Sequence, residues 1–132
     1  ADIKREGRDI TIVATHAMVG RALKAAEDLA KDDIEVEIVD LRTLTPLDKK
    51  TIFDSVKKTG RLLVADEDYK TCSVASEIAA LAAEEIIYDL KAPVARVCSP
   101  DTPVPFSPPL EQAYIPEVKD LVPAVQRLMQ YV

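Results

Sequence analysis

Apolar and polar positions along the chain switch repeatedly between a period of two and a period of about 3.6. Residues 9–15 (DITIVAT) form a β-branched run of strand length. Behind it Met18, Val19, Ala22, Leu23, Ala26, Leu29 and Ala30 recur at helical spacing, with Arg21, Lys24, Glu27, Asp28 and Lys31 on the opposite side. Residues 34–41 (IEVEIVDL) predict a second strand, alternating at first because Glu35 and Glu37 separate Ile34, Val36 and Ile38. Pro46-Leu47-Asp48 then opens a second helix. Asp48 is suited to cap it, Ile52, Phe53 and Val56 make its inner face, and Gly60 stands where a left-handed cap residue is wanted. Residues 61–65 (RLLVA) read as a strand covered on both faces, followed by an acidic loop, Asp66-Glu67-Asp68. A helix rich in alanine is expected over residues 74–90, and a fourth strand over residues 93–97.

Five prolines, Pro100, Pro103, Pro105, Pro108 and Pro109, then fall within ten residues, a stretch expected to form neither helix nor central strand. Leu121, Val122, Val125, Leu128, Met129 and Val132 close the chain at helical spacing, with Asp120 as the expected cap and Pro123 in the first turn. Strand and helix alternating in this order predict an α/β fold, a three-layer α/β/α sandwich around a largely parallel sheet. Residues 1–132 are expected to be a single domain, with residues 1–8 as a leading linker.

Composition narrows the functional classes. A chain of 132 residues is long enough to bury one core without covalent staples. Against 17 Lys+Arg stand 23 Asp+Glu, a net charge of −6. That balance disfavours nucleic acid and anionic membrane surfaces, which call for a basic face. No apolar run reaches the roughly 20 residues of a bilayer span, and no signal peptide is recognised. The first residue is Ala1, not Met, as expected for a piece of something longer. Cys72 and Cys98 lack CxxC spacing and sit among apolar neighbours, so buried or half-buried thiols are expected. With one histidine, a His-rich zinc site is unavailable.

In a parallel α/β sheet, ligands gather beyond the carboxyl ends of the strands. The first such turn, residues 15–20 (THAMVG), contains neither GxGxxG nor GxxxxGK[ST], and three glycines in all leave no phosphate cradle. His16 is the sharpest acid–base candidate, although it reads first as a polar residue closing a strand. Asp66, Glu67 and Asp68 carry oxygens suited to a hard cation, and read first as an acidic surface. A phosphoacceptor receiver domain would want an acidic pair where Thr15-His16 stands. Ser76-Glu77 has no GxSxG around it, and Ser99-Pro100-Asp101 has the composition of a turn. Residue chemistry therefore points to an α/β domain without an active site of its own.

Longer segments carry a resemblance. REGRDITIV (residues 5–13), Met18-Val19 with ALKAA (22–26), and EVEIVDLRTLTPLD (35–48) resemble the C-terminal domain of the β subunit of 2-oxo acid dehydrogenases. So do SVKKTGR (55–61), ASEI (75–78), APVARV (92–97), DTPVPF (101–106), Leu110-Glu111 and Ile115-Pro116. The similarity runs in order through nearly the whole chain, and the DLRTLTPLD and DTPVPF segments are the specific ones. Transketolase C-terminal domains share the fold. Two departures stand out. Family members usually carry glycine near His16 and a glycine-rich loop before Glu77, where this chain reads DYKTCS (68–73). An acidic residue commonly precedes Ala92-Pro93, where Lys91 stands.

The resemblance implies a parent enzyme that decarboxylates pyruvate or a branched-chain 2-oxo acid and passes the acyl group to a lipoyl arm. Thiamine diphosphate and magnesium would belong to that parent, with no cofactor, catalytic or metal residue in this domain, which would be inactive alone. Implied partners are a second β subunit, the α subunit of an α2β2 assembly, and the subunit-binding domain of the lipoyl acyltransferase core. The implied interface residues are Glu77, Lys91, Asp101, Phe106 and Val132. Phe106 reads equally as an anchor into a neighbour and as a cap on its own core. Cytoplasm in a bacterium, or mitochondrial matrix in a eukaryote, would be the setting. Alternatives are a free-standing non-catalytic binding module, the C-terminal domain of another transketolase-like enzyme, and a self-contained enzyme using His16 with residues 66–68.

Overall fold

The computed structural model describes residues 1–132. Five strands, β1 (Asp2–Arg5), β2 (Ile10–Ala14), β3 (Val36–Asp40), β4 (Leu62–Tyr69) and β5 (Ala95–Ser99), form one sheet in the order β1-β3-β2-β4-β5. Neighbouring strands are parallel except β1, which runs antiparallel to β3. Helices α1 (Ala17–Ala30), α2 (Lys49–Thr59), α3 (Val74–Glu85), α4 (Pro108–Tyr114) and α5 (Val118–Met129) follow the strands. The expected α/β/α sandwich is what forms.

The pleat sorts the core into two halves. Ile10, Ile12 and Ala14 of β2 and Leu63 and Ala65 of β4 point to a core shared with α1 and α5, through Met18, Leu29, Leu121 and Val125. Val13, Val39, Leu62 and Val64 point the other way, against Ile52, Phe53 and Val56 of α2 and Ile78 of α3. Thr11 is buried toward α2, and its hydroxyl meets Ser55 Oγ at 2.7 Å and Thr59 Oγ1 at 2.8 Å. Those bonds satisfy three buried hydroxyls that would otherwise each be costly to desolvate.

Local signals place α2 as the sequence predicts. Asp48 Oδ1 accepts from the Thr51 amide at 3.1 Å, and Gly60 ends the helix at φ 78°. The methylenes of Lys91 cover Gly60 so closely that a Cβ there would lie 2.6 Å from Lys91 Cδ.

Several expectations are corrected. Residues 2–5 of the expected leading linker are the edge strand β1, whose ion pairs Arg5–Glu35 and Lys4–Asp40 suit a strand with one open side. Residues 66–68 are not a loop but the end of β4, where a register shift between Ala65 and Tyr69 buries Asp66 while Asp68 faces solvent. Helix α3 stops at Glu85, and residues Ile87–Asp89 form a separate 3-10 turn. The β-branched and aromatic run Ile86-Ile87-Tyr88 favours helix less than the alanines before it. Pro108 and Pro109 do enter a helix, occupying the first positions of α4, where no amide donor is required. Finally, Glu117 caps α5 and Asp120 answers as its third residue in a capping box. Pro123 therefore lies inside α5, beyond the first turn. Its exposed position leaves the unpaired Lys119 carbonyl open to water.

Candidate interaction surface

The carboxyl ends of the strands are where a parallel α/β sheet gathers its ligands. Helix α1 starts directly after His16, which is exposed and held at φ 50°, ψ −130°. That backbone region suits glycine. Its Nδ1 lies 3.1 Å from the Thr15 hydroxyl. His16 shares a cleft of about 310 Å³ with Asp66, Glu67 and Asp68. Two of these three carboxylates accept backbone amides, Asp68 Oδ1 that of Tyr69 at 2.7 Å. Asp66 Oδ1 accepts the Asp68 amide at 3.2 Å, and Ser99 Oγ donates to the Glu67 carbonyl at 2.7 Å, closing β5 onto β4. No three His, Cys, Asp or Glu side chains converge as ligands for a metal ion. The donor set thus does not fit magnesium, and no glycine-lined turn fits a diphosphate.

The cysteines differ from one another. Cys98 is half-buried on β5, where burial, reinforced by the Asp66 charge, pushes its thiol up. Cys72 is exposed, against expectation, because it sits on the β4–α3 turn at φ 57°.

The five interface candidates do not form one patch. Glu77 is exposed in the first turn of α3, where its charge complements the helix dipole and Ser73 caps the same turn. Lys91 is spent partly on packing over Gly60, and its amide donates to the Gly60 carbonyl at 2.7 Å. Asp101 clamps the Pro-rich segment to the β4–α3 turn: Oδ1 accepts the Thr71 amide at 3.1 Å and Oδ2 the Thr71 hydroxyl. Those bonds, the hydroxyl first, hold its carboxyl below the usual range. Phe106 and Val132 are fully exposed. Phe106 therefore caps no part of its own core.

The structure adds residues that the sequence did not single out. Val104 and Leu110 are exposed on the same segment as Phe106. On another face, Ala79, Ala83, Ile87, Leu90 and Tyr131 line an apolar groove of about 520 Å³, with Tyr88 fully exposed nearby in sequence. The Ala79-Ala83-Ile87 spacing was a helical stripe that could have signalled this groove.

A five-stranded, mostly parallel sheet between two helical layers, with several large apolar side chains left in water, defines an α/β sandwich domain. A family model described as the transketolase C-terminal domain matches residues 1–121, and the chain belongs to that family. It is 50% identical over 130 residues to the β subunit of acetoin:2,6-dichlorophenolindophenol oxidoreductase of Cupriavidus necator, covering 98% of this chain and 38% of that protein. To the β subunit of the pyruvate dehydrogenase E1 component of Bacillus subtilis it is 44% identical, with 99% of this chain and 40% of that one covered. The 2-oxoisovalerate dehydrogenase β subunit of the same organism is 42% identical at the same coverage. Among solved structures, a split-gene transketolase described as an inactive β4 tetramer superposes with TM-score 0.84 at 31% identity, covering 98% of this chain and 41% of that one. The chain thus spans about two fifths of the length of the curated relatives it matches. No helix is long and apolar enough to cross a membrane.

Proposed function

We propose that this chain is the C-terminal association domain of the β subunit of a thiamine-diphosphate-dependent enzyme of the 2-oxo acid dehydrogenase type. The observation that carries the reading is similarity over nearly the whole chain to β subunits two and a half times its length. In that role the domain contributes no reacting group. In this reading thiamine diphosphate, magnesium and the chemistry of oxidative decarboxylation belong to the remainder of the enzyme.

The work left to the domain is to pair with a second β subunit, to help hold an α subunit, and to present a face to the subunit-binding domain of an acyltransferase core. The exposed Phe106 segment and the groove beside Tyr131 are the surfaces for this. An acidic domain suits a basic partner, because complementary charge speeds encounter. Acetoin, pyruvate and 2-oxoisovalerate name the different relatives while the domain stays alike, which supports a substrate pocket outside these residues. The setting is cytoplasmic in a bacterial parent and the mitochondrial matrix in a eukaryotic one.

Two preparations test the proposal. The full β subunit, co-expressed with its α subunit, is expected to form a heterotetramer that decarboxylates a 2-oxo acid or acetoin with an added dye acceptor. The 132-residue chain supplied with thiamine diphosphate, magnesium and the same substrates is expected to be inert. Turnover by the chain alone, or an open reading frame ending where this chain begins and ends, overturns the reading.

A further inference from the structure

Of the 17 Lys and Arg of this acidic domain, eight hold a carboxylate within ion-pair distance. Lys58, Arg21 and Lys49, for example, pair with Glu37, Glu117 and Glu85. Four of the other nine gather in one cleft. A cavity of about 420 Å³ between β5 and α5 is lined by Lys70, Arg96, Lys119 and Arg127, none of which holds a carboxylate within ion-pair distance. The one acid on its wall, Asp120, is already engaged, its Oδ2 accepting the Glu117 amide at 2.8 Å.

The four charges come from three elements and face one space. Arg96 is fixed from behind, its Nη1 donating to the Lys70 carbonyl at 2.9 Å and to Ser76 Oγ at 2.7 Å. Both acceptors are neutral, so the guanidinium is positioned without being neutralised. Lys119 and Arg127 lie two turns apart on one face of α5, with Pro123 between them. Four like charges around so small a volume repel one another unless an anion enters. Cavity size falls within the ordinary range for small-molecule sites. We infer that this cleft binds a small polyanion, a molecule carrying two or more phosphate or carboxylate groups that span from Arg96 on β5 to Lys119 and Arg127 on α5.

The test is a titration of the full chain followed by amide NMR shifts at low ionic strength. Inorganic pyrophosphate is the phosphate probe and tricarballylate the carboxylate probe. Saturable shifts confined to the β4–α3 turn, β5 and α5 are expected for at least one probe, and the one saturating at lower concentration identifies the anionic group. Lys119→Gln combined with Arg127→Gln, both exposed and safe for folding, is expected to weaken binding about tenfold or more, as losing two charge-assisted contacts should. Lys24→Gln combined with Lys57→Gln, which removes two cations elsewhere, is expected to leave it unchanged. Shifts that never saturate with either probe overturn the inference, as does an equal loss in the two double variants.

Discussion

Glu37 and Lys58 meet across the space between β3 and α2, with the carboxylate only 2% exposed and the ammonium half in water. The same carboxylate accepts the Gly7 amide at 3.1 Å, so one buried acid ties the start of the chain, a central strand and a helix together. Burial by itself would push Glu37 up, but the bonds from Lys58, Ser55 and Gly7 outweigh it and hold the acid below the usual carboxylate range. A depressed carboxylate stabilises the fold above its ordinary value of 4.5, and that contribution is lost as pH falls through the folded value. Thermal unfolding against pH is therefore expected to show an acid limb that Glu37→Gln flattens. Lys58→Met leaves the buried charge with fewer partners and is expected to cost about 1–3 kcal/mol at neutral pH. An unchanged melting temperature in Lys58→Met would remove the pair from the account.

Gly7 touches β3 with its own backbone. A Cβ there would lie 2.3 Å from Glu37 N and from Val36 C, where no flexible side chain can yield. Gly7→Ala is expected to lift the β1 segment from β3 and destabilise by about 1–3 kcal/mol. Hydrogen exchange should report it as loss of protection at β1 and the facing amides of β3. Equal protection in variant and parent would show that β1 stays paired and that the Cβ is accommodated without lifting it.

His16 and Cys72 hold left-handed backbone at φ 50° and φ 57°, and they fall where relatives are expected to carry glycine. Such strain costs roughly 1–3 kcal/mol, against about 0.5–1 kcal/mol of chain entropy that a glycine loses on folding. His16→Gly is expected to raise stability by about 1 kcal/mol in denaturant titration, with Cys72→Gly giving a smaller gain. A loss of stability in His16→Gly would mean that the imidazole contributes more than its Thr15 contact shows.

Phe106 separates association from folding. Fully exposed, it is expected to change stability by no more than about 0.5 kcal/mol when replaced by serine. In the full β subunit, Phe106→Ser is expected to weaken assembly, seen as smaller species in sedimentation. Intact assembly with this variant would move the contact to the Ile87 and Tyr131 groove.

The parts legible in advance were those whose signal is local. Asp48 and Gly60 bracket α2 by cap chemistry that acts within a few residues, and the β-branched runs of β2 and β3 need no distant partner to be recognised. Misreadings arose where a distant neighbour decides. Asp2, Lys4 and Arg5 look like linker residues until β3, more than 30 positions away, offers its edge. Asp66-Glu67-Asp68 look like a loop until a bulge against β5 lets one acid turn inward. Pro108 and Pro109 break helices everywhere but at their first positions, and the start of α4 is invisible in composition alone.

The chain's own pattern of apolar, capping and glycine positions determined the α/β alternation, the ends of α2 and the lack of a phosphate cradle, because each depends on residues near one another in sequence. Which aromatic side chain stands in water, which acid is buried, and that Lys70, Arg96, Lys119 and Arg127 share one cleft were decided only when the sheet closed. Charge and burial act through space, and distances between residues so far apart along the chain exist only in the folded molecule.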